Sequence, residues 1–338
     1  MKKIFFSTVL FVLVFCTHAQ QETQFSMYYQ NPYFFNPAAG GLTKTMQFDV
    51  GFRRQWLAIE GSPLSLYATG HSQIKFDKAE PDVVGEFNVE GENVFANPPV
   101  HIGKNKHVVG GRALTDMIGP FMKNSLQGSY AYHLRFTSKT MLALGMSAGF
   151  SSYGINSSKI VMLDQDDEAY ETFLLRNNGQ TIFDVNAGLT FYSENYTFGI
   201  SSIQLLDNDM VIDQVVTNSS YGRHWFMFGQ YNFAINDKIG VEPHFMGQLI
   251  GGAPFAFNFG TRMIFDKRYW GNLALRFGDA VNFGFGMNIA QNFRFGYAFD
   301  IGVGTLGGTS GNAHELQIGY ILGNNRNLAK EIDEKDGL

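Results

Sequence analysis

The sequence predicts an all-β chain, a transmembrane antiparallel up-and-down β-barrel of the outer membrane with about 14 strands. Three observations carry this expectation. The chain opens with an export signal, it contains no later apolar run suited to a membrane helix, and most of its length alternates with period two.

The export signal spans residues 1–19. Lys2 and Lys3 supply the positive start, residues 4–15 an apolar run too short to span a bilayer, and Thr17-His18-Ala19 the small residues a signal peptidase needs. Cys16 follows Phe15 and not the small residue of a lipobox, so lipidation is not expected. Cleavage leaves Gln20 or Gln21 first and a mature chain without cysteine, hence without disulfides. It also leaves 23 Lys and Arg against 30 Asp and Glu, a net charge of −7. Such a balance opposes nucleic-acid binding, which depends on neutralising phosphates. The uncharged later stretch 245–260 is broken by Gly247, Gly251, Gly252 and Pro254. A membrane location therefore requires a closed barrel, since only helices and barrels bond every backbone group in lipid.

Composition agrees. Charged residues make up only 16% of the 338, against 33 Phe and 38 Gly. A soluble β-sandwich would carry more Lys and Glu on its outer face.

Strands are predicted near 45–53, 64–72, 107–115, 123–136, 140–150, 181–193, 197–203, 224–235, 239–250, 255–265, 270–277, 280–290, 293–300 and 314–321. In the first, Met46, Phe48, Val50 and Phe52 alternate with Gln47, Asp49, Gly51 and Arg53. In 280–290, Val281, Phe283, Phe285, Met287 and Ile289 alternate with Asn282, Gly284, Gly286, Asn288 and Ala290. Bulk on one side and small or polar residues on the other is the pattern of lipid outside and a polar lumen inside. From a periplasmic start, the short connections 137–139, 194–196, 236–238, 266–269 and 291–292 all fall on the periplasmic side. The long ones, 151–180, 204–223 and 301–313, all fall outside. Residues 73–106 break the rule, being long yet periplasmic. The domain plan is a signal peptide (1–19), a periplasmic N-terminal segment (20–44), the barrel (45–322) and a periplasmic C-terminal tail (323–338).

Catalytic and cofactor signals are weak, and no enzyme activity, cofactor or metal is expected. The Gly302-Val303-Gly304-Thr305-Leu306-Gly307 run has a dinucleotide-binding spacing, but Gly308 to Asn312 cannot start the helix that motif needs. Seven histidines outside the signal lack ligand spacing, and the acidic run Asp164, Asp166, Asp167 and Glu168 lacks the order of a calcium loop. The lumen side carries Asp49, Asp184, Glu242, Asp300 and Glu315 with Arg53, Arg262, Arg276 and Arg294. Mixed signs point to an internal ion-pair network in preference to a charge-selective pore.

The aromatic segment from Gln24 to Ala38 stands apart. Each of its Asn-Pro steps, Asn31-Pro32 and Asn36-Pro37, resists helix and favours an extended turn. Two readings stay open: packing inside the barrel or against its periplasmic mouth, or a docking element that presents Tyr28, Tyr33 and Phe35 together with residues 73–106 to a partner.

Gln24-Phe25-Ser26, Asn31-Pro32 and Phe35-Asn36-Pro37-Ala38 resemble the N-terminal signature of the PorP/SprF family, outer-membrane proteins of the type IX secretion and gliding system of Bacteroidota. Arg53-Arg54-Gln55-Trp56 with Ser62-Pro63, Gly110-Gly111 through Asp116 and Gly119, Tyr130 to Leu134, and His314-Glu315-Leu316 follow in the family's order. The resemblance departs after Ala38, where an aromatic is often found, and at 73–106, which is longer than expected. It implies a non-catalytic role in exporting proteins or holding them at the surface. The implied partners are periplasmic ring or lipoprotein components of the secretion system, or a cognate secreted adhesin, beside outer-membrane lipid and without nucleic acid. The alternative is a diffusion or uptake porin.

Overall fold

The computed structural model describes residues 24–43, 45–74, 100, 102–160, 179–212, 215–220, 222–251, 254–289, 292–303 and 311–322. The signal peptide, the acidic run, most of 73–106, most of the glycine-rich run after Gly302 and the C-terminal tail lie outside the described residues.

Fourteen antiparallel staves close into one barrel. They are β1 (Met46–Arg54), β2 (Leu64–Ile74), β3 (Lys106–Ile118), β4 (Phe121–Arg135), β5 (Thr140–Ile155), β6 (Gln180–Ser193), β7 (Tyr196–Ile203), β8 (His224–Tyr231), β9 (Ile239–Ile250), β10 (Ala256–Phe265), β11 (Tyr269–Arg276), β12 (Ala280–Ile289), β13 (Phe293–Gly302) and β14 (Ala313–Leu322). Each pairs with its sequence neighbour, and β14 closes on β1 from Met46↔Leu322 to Arg54↔His314. Closure leaves no unpaired edge for lipid to meet.

The β8 stave resumes as Phe233–Ala234 in unbroken register with β9. The gap falls where Tyr231 faces Pro243, which has no N–H to give the ladder. The connection from β7 to β8 carries a small hairpin of its own, Asp209–Ile212 with Val215–Ser220, within what the sequence leaves as loop.

The predicted faces hold. Phe48, Val50 and Phe52 on β1 and Phe283, Phe285, Met287 and Ile289 on β12 are exposed on the wall, while Asp49, Arg53, Asn282 and Gly286 point inward and are buried. So much outward Phe and Leu in water would be a very large exposed apolar patch; in a bilayer it is the contact surface. No helix among the described residues is long and apolar enough to cross a membrane, and the crossing is made by strands.

Residues 137–139, 194–195 and 266–268 form tight turns at one end, the periplasmic end by the asymmetry of such barrels. At the other end β5 runs to Ile155, paired with Phe121. The predicted loop 151–180 thus begins too early. Ser152 and Gly154 lack the lipid-facing bulk that marks a membrane strand, yet they continue the ladder. With 15 and 16 residues, β4 and β5 outreach the 8 of β11.

Candidate functional site

The lumen is filled by the chain's own N-terminal segment. Residues 24–43 lie within the barrel wall, not beneath it, which corrects the periplasmic placement of that segment over its described part. Met27, Tyr28, Asn31, Tyr33, Phe35, Asn36 and Pro37 are buried and Pro32 is half-buried. Most of the expected docking residues therefore face lumen walls, while Asn31, Pro32 and Tyr33 also border a cavity at the periplasmic end. Burial of this many aromatics outweighs any extended display, because each buried ring is worth roughly 1.5–3 kcal/mol against exposure.

The Asn-Pro steps act differently from expectation as well. Asn31 and Asn36 are non-helical, with φ near −137° and −138°, but Pro32 and Pro37 each open a single 3-10 turn (Pro32–Phe34 and Pro37–Ala39). Proline's fixed φ suits the first position of such a turn, and the Asn36 side chain caps the second by accepting from the Ala38 N–H at 2.8 Å. The segment folds back on itself instead of running extended.

Its anchors reach strands around the whole barrel. Asn36 Nδ2 donates to the carbonyls of Leu189 and Ile200, each at 3.1 Å. Arg112 Nη1 donates to the Phe34 carbonyl at 2.8 Å, and Ser201 Oγ to that of Phe35 at 2.8 Å. Asn31 Nδ2 donates to Thr69 Oγ1 at 2.9 Å, and Gly41 N–H to His71 Nδ1 at 3.0 Å. Tyr33 OH and Ser129 Oγ share a hydrogen bond. Two wall glycines give the plug room. A Cβ on Gly145 would stand 2.4 Å from the Ala38 nitrogen, and one on Gly188 would stand 2.0 Å from Asn36 Oδ1. Phe25, Phe34 and Tyr67 pack edge-on or tilted with centroids 4.7–4.9 Å apart, a favoured aromatic spacing.

The lumen charges form the network their mixed signs predict. Arg53 meets Asp300 at 2.6 Å and Glu315 at 3.0 Å, Arg276 meets Asp300 at 3.4 Å, Arg262 meets Glu242 at 2.7 Å, and Arg294 meets Asp49 at 3.0 Å. The plug joins it. The Ser26 and Met27 N–H groups donate to Glu315, and Ser26 Oγ lies 2.7 Å from Asp300 Oδ2. A second chain starts at Tyr28 OH, which donates to His244 Nδ1 at 2.8 Å. His244 Nε2 donates to Asn272 at 2.7 Å, Asn272 to Asn282 at 2.9 Å and Asn282 to Asp300 at 2.6 Å. Among the described residues no group of three or more His, Cys, Asp or Glu is placed to hold a metal ion.

Beneath the plug, at the periplasmic end, a cavity of about 130 Å3 opens between Tyr29, Asn31, Trp270 and the β10–β11 turn.

The type IX secretion system membrane protein PorP/SprF family matches residues 17–320, spanning both the plug segment and the wall. The chain belongs to the PorP/SprF family. It is a membrane component of the type IX secretion system, located in the outer membrane. A search of curated proteins returned no match. Among solved structures, this PorP/SprF chain is similar to the Ralstonia pickettii toluene transporter TbuX, at 10% identity over 85% of this chain and 90% of that one, with a TM-score of 0.42. The Pseudomonas putida toluene transporter TodX gives 9% identity over 86% and 92%, also with a TM-score of 0.42. A Rh. blastica porin variant gives 8% over 82% and 99%, with a TM-score of 0.31.

Sequence reasoning did not single out Ser26, the clamp between plug and charge network, or Gly145 and Gly188. The glycines carry a partial signal: both sit on the lumen side of their strands, Gly188 between the larger Asn186 and Thr190 and Gly145 between Ala143 and Ser147. Ser26 entered only as part of the Gln24-Phe25-Ser26 signature, and its clamp role could not be read there, since its partners lie on β1, β11, β13 and β14.

Proposed function

We propose that this protein is a non-catalytic component of the type IX secretion and gliding machinery that supports export or surface attachment of partner proteins. The supporting observation is the plug. A lumen packed with Tyr28, Tyr29, Phe34, Phe35 and Asn36 suits a stable platform better than a solute path. The polar anchors that hold the plug to the wall would have to break before solute passed, and each such bond adds roughly 0.5–1.5 kcal/mol. The partners in this reading are periplasmic ring or lipoprotein components of the secretion system, or a secreted adhesin held at the surface.

Deleting the gene in its native host and restoring it on a plasmid tests this. The expected result is loss of one or more secreted proteins from the surface or medium, reversed by the plasmid. Unchanged export together with a lost capacity to take up a solute would overturn it in favour of a porin.

A further inference from the structure

The lipid-facing wall is not uniform. On β12 and β13 the outward positions run from Val281 to Ile289 and from Phe293 to Ile301 with a bulky side chain at each. On β2 and β3 the outward pair Ala68↔Ala113 forms a floor instead. Val50 on β1 rises on one side of it, and Leu126 and Phe150 on β4 and β5 rise on the other, 50%, 69% and 60% exposed. Val50 and Leu126 stand three strand spacings apart, roughly 14 Å. An apolar groove of about 400 Å3 lies over this floor.

The outer edge of the groove is polar. In the next outward row Thr115, Asn124, Ser152 and Thr181 stand side by side in register and line it. Thr115 Oγ1 donates to Asn124 Oδ1 at 2.8 Å, and the Asn124 Nδ2 donors have no acceptor among the described residues. Amide donors are costly to hold against hydrocarbon and are satisfied by the carbonyls that join acyl chains to a headgroup. Arg54, the last outward residue of β1, supplies the charge. Counted from the periplasmic ends of their strands at Met46, Lys106 and Arg135, Arg54, Thr115 and Asn124 reach similar heights. Trp56 follows it in the chain and is 39% exposed, as suits the membrane interface. Arg54 Nε donates to Ser62 Oγ at 3.3 Å, and its guanidinium makes no ion pair among the described residues, the exposed Glu60 of the same loop included. Its fork matches a phosphate.

We propose that this groove binds a phosphorylated, multiply acylated glycolipid of the outer leaflet. One acyl chain lies over Ala68 and Ala113 between Val50 and Leu126, a chain-linking carbonyl meets Asn124, and a phosphate meets Arg54. The two polar contacts stand three strands apart, wider than a single phospholipid headgroup but within the span of a sugar headgroup that carries several chains. The site belongs to the outer half of the wall and is separate from the export role.

The test titrates the full-length protein in detergent micelles with lipid A, the acylated and phosphorylated glucosamine disaccharide, and reads the bound fraction by native mass spectrometry. Phosphatidylglycerol and lipid A stripped of its phosphates are the comparison probes. Lipid A is expected to bind with defined stoichiometry and more tightly than either. Arg54→Gln should weaken lipid A binding at least about tenfold, the loss of one charge-assisted bond, and leave the stripped form unchanged. Ala68→Leu with Ala113→Phe fills the groove and should weaken both forms. Those side chains face lipid, so the barrel should fold, and heat-modifiable migration checks it. Phe285→Leu on the far wall should leave binding unchanged. Binding of phosphatidylglycerol as tight as that of lipid A would overturn the proposal, as would lipid A binding unchanged in Arg54→Gln. Lipid A binding unchanged in the folded, filled variant, with a co-purifying membrane protein or second copy lost from it, would assign the groove to a protein and equally overturn it.

Discussion

Arg53 and Glu315 face each other across the seam where β14 closes on β1, paired in register and 3.0 Å apart, and the same carboxylate accepts the Ser26 and Met27 N–H groups. One buried ion pair thus joins barrel closure to plug seating. Both side chains are only 1% exposed. Removing one partner strands the other charge, so Glu315→Gln is expected to cost about 3–5 kcal/mol in denaturant unfolding from detergent. A cost under about 1 kcal/mol would mean the pair is not what holds the seam.

Gly145 lets the plug backbone at Pro37 and Ala38 come close to the wall. Gly145→Val should therefore unseat the segment without unfolding the barrel. The reporter is Ala39→Cys, a buried site in a mature chain otherwise free of cysteine. Maleimide should label it slowly alone and rapidly with Gly145→Val. Equal rates would place the segment elsewhere.

Tyr33→Ala with Phe35→Ala is expected to loosen the plug. These rings are buried against His71 and Phe226, and large-to-small changes at such sites cost about 3–5 kcal/mol each. Faster proteolysis of residues 24–43 in the folded barrel is the predicted readout. An unchanged proteolysis rate with impaired export would return these residues to a docking role.

The wall was legible in the sequence because lipid imposes a physical period: Phe283 and Phe285 must face out if Asn282 and Gly284 face in. The lumen charges were legible for the same reason. The plug was only half legible. Tyr28, Tyr33 and Phe35 carry the same aromatic character whether they anchor a partner or fill a lumen, and no local pattern separates the two. Their partners, such as Ser129, Phe226 and His244, are distant in sequence, so only the closed fold reveals them. The outer reach of β5 escaped because Ser152 and Gly154 need no lipid-facing bulk where a strand rises past its neighbours.

Phe285 tests the lipid face directly. It is 57% exposed at mid-strand, and Phe285→Arg should cost roughly 2–4 kcal/mol near the bilayer midplane. Asn288 on the same strand points inward and donates to the Lys267 carbonyl at 2.8 Å. Asn288→Ser should cost on the order of 1 kcal/mol, one hydrogen bond. Equal costs for the two in vesicle-reconstituted unfolding would show the faces are misassigned.

The occupied lumen is the claim on which the functional reading stands, and conductance across a planar bilayer tests it most directly. Purified full-length protein is expected to insert without stable conductance steps, and a variant lacking residues 24–41 is expected to produce them. Large, stable steps from the full-length protein, equal to those of the deletion variant, would contradict the plugged lumen and make the chain a pore.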